Sequence, residues 1–194
     1  MYRSGYDTAI IYHEKAIAVA REAGNRAQVA KFYSSLGLVY RYQAKYEKAV
    51  EYYRKAYFID KELGDRYGET YSMSGIGMVY LEQKQLDSAL EYHLKALKIA
   101  EEIGAENRII YSRKFLGITY RALGKPFAAL KENKLALQLA KKLDNEYAQC
   151  GLVANIASIY IDHTDSLEVA KEYIKAGLEI AEKSNDKRLL KTLY

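Results

Sequence analysis

Large apolar and aromatic residues recur three and four positions apart along most of the chain, and polar residues fill the positions between them. One stretch places Tyr33, Leu36 and Tyr40 on one side, and the next stretch carries Tyr53 at the same kind of spacing. This is the period of an amphipathic α-helix rather than that of a strand. Small residues such as Gly37 lie between the large ones and mark the closest contacts between two helices. The pattern therefore predicts pairs of packed helices, that is, helical hairpins.

The hairpin pattern repeats with a fixed step of 40 residues. Glycines of the first helix, each followed three positions later by a tyrosine, lie at Gly37, Gly77 and Gly117. Alanines of the second helix form an independent series at Ala16, Ala56, Ala96, Ala136 and Ala176. A further unit keeps the step with Ala157 in place of the glycine and with Tyr160 as its tyrosine. Self-similarity at one period indicates a stack of equivalent units.

Glycine and proline positions set the predicted helix boundaries. Gly24, Gly64 and Gly104 fall where a second helix must stop, since glycine tolerates the left-handed backbone of a C-terminal cap. Asp144 continues this series, and Pro126 falls at the start of a second helix, where its missing N–H is harmless. The predicted second helices lie near 6–23, 46–63, 86–103, 126–143 and 166–183. The predicted first helices lie near 28–43, 67–83, 107–123 and 147–162.

The motif aromatic-x-x-Leu-Gly-x-x-Tyr in the first helix, with Ala-x-x-x-aromatic-x-x-Ala in the second, resembles the tetratricopeptide repeat. The resemblance implies an all-α fold, a right-handed superhelical solenoid of antiparallel helix hairpins. The proline that usually closes each repeat is missing, and the step is 40 residues rather than about 34. Longer second helices, ending as in Glu62 to Arg66, resemble the long-repeat subclass of Pins-type adaptors, kinesin light chains, Rap-type regulators and bacterial signalling proteins.

The repeats predict one array over residues 1–194. The expected parts are a partial repeat at 1–27 holding mainly a second helix, full repeats at 28–66, 67–106, 107–146 and 147–186, and the start of a truncated repeat at 187–194. Terminal repeats normally carry a polar cap. Neither end follows that rule, so we expect a fragment of a longer array. The alternative is that the uncapped terminal helices pair with another copy, giving a homodimer or filament.

Composition and charge argue against nucleic-acid and membrane partners. The chain is 49% hydrophobic and 28% charged, enough for a continuous core shared between neighbouring repeats. The net charge of +5 comes from 30 basic and 25 acidic residues scattered along the helices, without a basic run that would favour nucleic acid. No apolar run approaches the roughly 20 residues of a membrane span. We expect a cytoplasmic protein, or a periplasmic one if it belongs to a membrane sensor.

Cysteine and histidine give no sign of catalysis, a metal or a cofactor. Cys150 is the only cysteine and has no catalytic pattern around it. His13 and His93 occupy the repeat position of Tyr53, the aromatic slot between the two helices, which explains their recurrence by architecture. His163 has no Glu or Cys at metal-ligand spacing. The sequence therefore predicts no catalytic residues, no metal site and no cofactor.

The resemblance also implies where a ligand binds. In the family, first helices line the inner curve of the superhelix, and the residues just before and after the framework glycine face the ligand. Carried over by position, the predicted peptide-binding groove consists of Lys31, Ser34, Leu38, Arg41, Tyr42, Tyr71, Ser74, Met78, Leu81, Tyr111, Lys114, Phe115, Ile118, Arg121, Asn155 and Ser158. Its apolar floor is flanked by the cations Arg41, Lys114 and Arg121. Such a surface suits an amphipathic helix or an apolar peptide of mildly acidic character.

Two known specificities of the family do not carry over in full. Chaperone-binding members grip a terminal carboxylate with lysines and asparagines of successive first helices. Lys114 and Asn155 match two such positions, but Ile118 stands where the asparagine paired with that lysine should be. Pins-type members hold a peptide backbone with asparagines on both sides of the framework glycine, and only Asn155 remains of that set.

Three classes of function follow from these observations. The first is a non-catalytic interaction module that binds a protein or peptide in the groove. The second is a sensory or regulatory segment of a bacterial signalling protein, acting through self-association or a change of curvature. The third is an enzyme, which the sequence disfavours because it shows no nucleophile–base pair, phosphate loop or carboxylate cluster.

Overall fold

The structure is a computed structural model that describes residues 3–163 and 166–184. These residues form an all-α fold, as predicted. The helices are α1 (Arg3–Glu22), α2 (Arg26–Tyr42), α3 (Tyr46–Leu63), α4 (Arg66–Glu82), α5 (Leu86–Glu102), α6 (Glu106–Ala122), α7 (Pro126–Lys142), α8 (Glu146–His163) and α9 (Leu167–Ser184). The predicted truncated repeat at 187–194 lies outside the described residues.

Helix ends agree with the predicted boundaries within a few residues. Gly24, Gly64 and Gly104 have left-handed φ angles of 66°, 70° and 64°, and Asp144 has one of 49°. First helices begin one or two residues earlier than predicted. At α2 and α4 the side chain of the residue before the helix accepts a backbone N–H, Asn25 from Gln28 and Asp65 from Gly68.

Helix α1, the second helix of the partial repeat, begins nearer the N-terminus than predicted. The second helix predicted near 6–23 is α1, which already begins at Arg3. Gly5 is not among the residues with positive φ, so its backbone does not break the helix as Gly24 does. Helix α1 therefore continues through Gly5 without a break.

The chain divides into two compact units, Met1–Ala105 with α1 to α5 and Glu106–Tyr194 with α6 to α9. In unit 1, α2 pairs with α3 and α4 with α5, and α1 packs on α2. In unit 2, α6 pairs with α7 and α8 with α9. Neighbouring first helices also touch, α2 with α4 in unit 1 and α6 with α8 in unit 2. Each unit therefore brings two first helices side by side.

The core of each unit lies between its helices. Leu36 and Tyr53 are fully buried in unit 1, and Ile110, Leu152 and Ile156 are fully buried in unit 2. The glycines of the first helices allow this close approach. A Cβ at position 37 would lie 2.9 Å from the Tyr53 ring, so the helix pair closes only with glycine there. In the described part of the chain, no helix is both long and apolar enough to cross a membrane.

Candidate functional site

The predicted groove residues lie on the four first helices, two of which belong to each unit. The unit 1 face consists of the predicted residues on α2 and α4: Lys31, Ser34, Leu38, Arg41, Tyr42, Tyr71, Ser74, Met78 and Leu81. The unit 2 face consists of those on α6 and α8: Tyr111, Lys114, Phe115, Ile118, Arg121, Asn155 and Ser158. Since α2 touches α4 and α6 touches α8, the structure brings the members of each face together.

The unit 1 face has an apolar centre. Leu38, Met78 and Leu81 are half-buried, which leaves part of each side chain accessible. Two of the predicted members contribute little surface, because Ser34 and Ser74 are only 8% and 7% exposed. The Ser34 hydroxyl lies 3.3 Å from that of Ser72 on α4, so it serves the packing of α2 on α4.

Arg41, one of the two cations of the unit 1 face, has an acidic neighbour at the end of α4. Arg41 Nε lies 3.8 Å from Glu82 Oε1, and the arginine side chain is only 12% exposed. Burial raises the pKa of the Glu82 carboxyl, and Arg41 partly offsets that rise. The Arg41 guanidinium also lies over the ring of Tyr42, 5.0 Å from its centroid. Tyr42 itself is 58% exposed and stacks on Tyr6 of α1. This face therefore presents an aromatic edge, a paired Arg41 and an exposed Lys31.

Lys114 is the cation of the unit 2 face that lacks an acidic partner. Its ammonium lies against the backbone of α8, since a Cβ at position 151 would be 2.7 Å from Nζ. No ion pair or hydrogen bond within the described ranges involves it. Burial lowers the pKa of the Lys114 ammonium, because the charged form loses solvation. Half-buried Phe115 and Ile118 belong to the same face and make its surroundings apolar.

Arg121 differs from Lys114 in having an acidic neighbour. Its Nη1 lies 3.7 Å from Asp162 Oδ2 at the end of α8. Both side chains are substantially exposed, at 34% and 51%, so solvent weakens the pair. Of the three cations predicted to flank the groove, Arg41 and Arg121 therefore have internal partners.

Asn155 is engaged with the neighbouring second helix. Its side-chain amide donates to Asn133 Oδ1 at 3.3 Å, and Asn133 in turn donates to the backbone of Ala129 at 2.8 Å. Asn133 is fully buried against Gly117. Asn133 lies 40 residues after His93 and so occupies the same aromatic slot, but the pattern did not predict that an asparagine there would bind Asn155. The carbonyl oxygen of Asn155 and the second N–H of its amide are left for a ligand.

The same slot holds Tyr53 and His93 in unit 1. Both are buried, and each packs on the framework glycine of the preceding first helix, Gly37 or Gly77. Burial lowers the pKa of His93 to about 4, although a hydrogen bond with the Ser74 backbone opposes the shift. His93 therefore has the architectural role predicted for it. Among the described residues, no group of three or more His, Cys, Asp or Glu side chains is placed to hold a metal ion.

Asp60 is a buried carboxylate that the sequence pattern did not single out. It occupies a position where neighbouring repeats carry Ala20 and Ala100, and it is only 5% exposed. Gly68 packs directly on it, since a Cβ there would lie 2.5 Å from Asp60 Cγ. Burial and repulsion from Asp65 and Glu69 raise the pKa of Asp60 to about 6.

Comparison with known proteins supports the resemblance. The family model described as tetratricopeptide repeat matches residues 2–62 and 68–142, well over half of the chain. No curated protein sequence matches this chain.

Solved structures share the fold at low sequence identity. A Rap protein complexed with Competence and Sporulation Factor superimposes with a TM-score of 0.87 at 17% identity, over 98% of this chain and 53% of that one. Aspartyl phosphate phosphatase F from Bacillus subtilis gives 0.83 at 20% identity, over 95% and 50%. The signal transduction ATPase PH0952 from Pyrococcus horikoshii, which has a tetratricopeptide repeat sensor, gives 0.66 at 18% identity, over 98% and 33%. The chain thus spans about half or less of these structures.

Proposed function

Because the chain belongs to the tetratricopeptide repeat family, we propose that it is a non-catalytic interaction module whose first-helix faces bind a peptide or amphipathic helix. The Rap protein among its structural neighbours is described in complex with a peptide factor, which supports this class of ligand. Another neighbour is named a phosphatase. A likeness at 20% identity shows a shared fold and not a shared activity. The absence of catalysis in this chain is therefore part of the proposal.

The observation that carries the proposal is the unpaired ammonium of Lys114 in the unit 2 face. A cation taken partly out of water without a partner costs free energy. An ion pair with a carboxylate of the ligand would offset the cost of that lost solvation. Apolar side chains next to the carboxylate would pack on Phe115 and Ile118. The unit 2 face therefore suits a peptide that carries an acidic residue beside apolar ones.

The unit 1 face suits apolar anchors rather than charge. Arg41 is already paired with Glu82, and an ion pair with exposed Lys31 would be weakened by solvent, so a ligand carboxylate gains little there. Met78 and Leu81 offer accessible apolar surface, and Tyr42 offers a large exposed ring. Tyrosine contributes contact area at low cost in side-chain entropy and is common at binding hot spots. Affinity on this face would come from apolar burial.

A peptide selection tests the proposal. Peptides selected from a random library on the wild-type chain are titrated against Met78→Glu on the unit 1 face and Arg121→Glu on the unit 2 face. Leu94→Glu and Lys131→Glu are the matched controls, because both residues are exposed on second helices. We expect at least a tenfold loss of affinity for one of the two face variants and no loss for its control. Loss confined to the second-helix variants would overturn the assignment of the site to the first helices.

A regulatory segment of a signalling protein is the second candidate function. It is favoured by the structural likeness to a protein described as having a tetratricopeptide repeat sensor. In that role the chain would act by self-association through its terminal helices. Light scattering over a dilution series separates the two roles: a dimer that persists on dilution supports regulation, and a monomer at every concentration supports the peptide-binding module.

A further inference from the structure

The ring of Tyr53 on α3 touches both first helices of unit 1. Its base lies on Gly37 of α2, where a Cβ would be 2.9 Å from Cγ. Its outer end lies on Gly75 of α4, where a Cβ would be 2.5 Å from Cζ, the atom that carries the hydroxyl. Tyr53 is therefore a second-helix residue whose polar end reaches the helix that carries Ser74 and Met78 of the unit 1 face.

The equivalent residues of unit 2 make the same approach with a shorter side chain. Asn133 and Asn155 lie 80 residues after Tyr53 and Gly75. Asn133 lies on Gly117 of the preceding first helix, and its Oδ1 accepts from the Asn155 amide of the following one at 3.3 Å. Asn155 is a half-buried member of the unit 2 face. Position 75 has no side chain of its own, so the Tyr53 hydroxyl takes the place of that amide in unit 1.

The groups around the Tyr53 hydroxyl belong to α2 and α4. Those whose charges act on it are Tyr71, Arg41, Tyr42 and Glu82. Burial raises the pKa of Tyr53, so the hydroxyl keeps its proton and can donate it at any physiological pH. In the described part of the chain, no hydrogen bond involves this buried hydroxyl. A buried donor without an acceptor costs free energy, which an acceptor on a ligand would recover.

Arg41 supplies a second donor of this kind. Its Nε is buried, and no described residue accepts a hydrogen bond from it, since Glu82 Oε1 at 3.8 Å is too distant. Two donors require an acceptor on the ligand, whereas the charge of Glu82 would repel a ligand carboxylate. An amide carbonyl oxygen is a neutral acceptor with two lone pairs and so meets both conditions. Every peptide carries such oxygens along its backbone.

We propose that the Tyr53 hydroxyl, although it belongs to a second helix, contacts the ligand of the unit 1 face and donates a hydrogen bond to a backbone carbonyl oxygen of the bound peptide. This inference rests on the proposed function. The peptide reaches the hydroxyl where Gly75 leaves α4 without a side chain. The bond sets the register of the peptide, because its apolar anchors on Met78 and Leu81 then lie at a fixed distance from the bonded carbonyl.

Tyr53→Phe tests this contact, because it keeps the ring on both glycines and removes only the hydroxyl. The probe is a peptide selected from a random library on the wild-type chain, whose affinity falls with Met78→Glu. We expect Tyr53→Phe to weaken its binding about three- to tenfold, the usual worth of one neutral hydrogen bond, without lowering the free energy of unfolding. Tyr40→Phe is the matched control and should leave affinity unchanged, because Tyr40 is also buried in unit 1 but stacks on Tyr52.

Thioamide replacement of each backbone amide of the peptide in turn locates the acceptor, since sulfur accepts hydrogen bonds more weakly than oxygen. One replacement should weaken binding to wild type but not to Tyr53→Phe. Absence of such a position, or equal affinities of wild type and Tyr53→Phe, would refute the contact and leave the unit 1 face as the site. A loss of stability in Tyr53→Phe would refute it too, because the hydroxyl would then be bonded within the chain.

The same selection separates this inference from the proposed function. If no selected peptide responds to Met78→Glu, the Tyr53 contact is wrong, while peptides that respond to Arg121→Glu still support binding on the unit 2 face. If none responds to either variant, the proposed function is wrong as well.

Discussion

At the scale of single residues, the packing of the hairpins depends on glycines that have no room for a methyl group. Gly37 lies against the buried ring of Tyr53. We predict that Gly37→Ala lowers the free energy of unfolding by about 1–3 kcal/mol, the usual cost of overpacking, despite the higher helix propensity of alanine. Urea unfolding followed by circular dichroism measures the change.

The control is the same substitution on α1. Gly5→Ala meets no atom within 4 Å and should stabilise the protein by up to about 1 kcal/mol through helix propensity. If Gly37→Ala stabilised the protein as Gly5→Ala does, the close contact with Tyr53 would not exist in solution.

The buried carboxyl of Asp60 predicts a pH-dependent contribution to stability. Its pKa is about 6 in the folded protein and 3.8 in the unfolded chain, so the folded state binds more protons between these values. This contribution is fully present below about pH 4 and is lost as the pH rises to about 6, by about 3 kcal/mol in total. Asp60→Asn should therefore be more stable than wild type at pH 7 by up to that amount, and equal to it at pH 4.

The pH dependence of the free energy of unfolding must be compared between variants, because ionisation of His93 changes stability in the opposite direction over this pH range. Its folded-state pKa of about 4 lies below the ordinary 6.5, so its contribution rises with pH over the same range. Urea unfolding at several pH values, with Glu22→Gln as the exposed control, isolates the part due to Asp60. A stability difference between Asp60→Asn and wild type that stays constant from pH 4 to pH 7 would contradict the raised pKa.

At the scale of the helices, the turns within each hairpin contain residues with unfavourable backbone angles. Ala44 and Lys84 have φ angles of 56° and 62°, whereas the equivalent position of the next repeat is Gly124. We predict that Ala44→Gly stabilises the protein by about 1 kcal/mol, because glycine adopts a left-handed conformation without steric cost. Thermal unfolding monitored by circular dichroism measures the gain.

Ala27→Gly is the matched control, since Ala27 is also exposed in unit 1 but lies in the first turn of α2. There the same change should cost up to about 1 kcal/mol of helix propensity. Destabilisation by both substitutions would show that Ala44 does not adopt a left-handed conformation.

These turns also show how far the sequence predicts the helices. The positions of Gly24 and Pro126 were sufficient to place helix ends within a few residues, because both residues have strong backbone preferences. Nothing in the residue types Ala44 and Lys84 indicates a positive φ. There, the helices packed on both sides impose the angle against local preference.

At the scale of the molecule, the repeat predicted the first helices that lie side by side in each unit but not the electrostatic partners on the two faces. The pairing of Arg41 with Glu82 joins long side chains of neighbouring helices, whose conformations depend on burial rather than on sequence spacing. Lys114, unlike Arg41, has no acidic partner among the described residues. An acidic residue of the ligand is therefore expected to bind on the unit 2 face, and this stays a prediction.

The most direct test of the peptide-binding account is a double-mutant cycle between Lys114 and the acidic residue of a selected peptide. Affinities are measured for wild type and Lys114→Met with the peptide and with its amide analogue, and Lys131→Met serves as the exposed-lysine control. We predict that Lys114→Met weakens binding of the acidic peptide at least tenfold and leaves the amide analogue almost unaffected. Equal affinities of wild type and Lys114→Met for the acidic peptide would contradict the account.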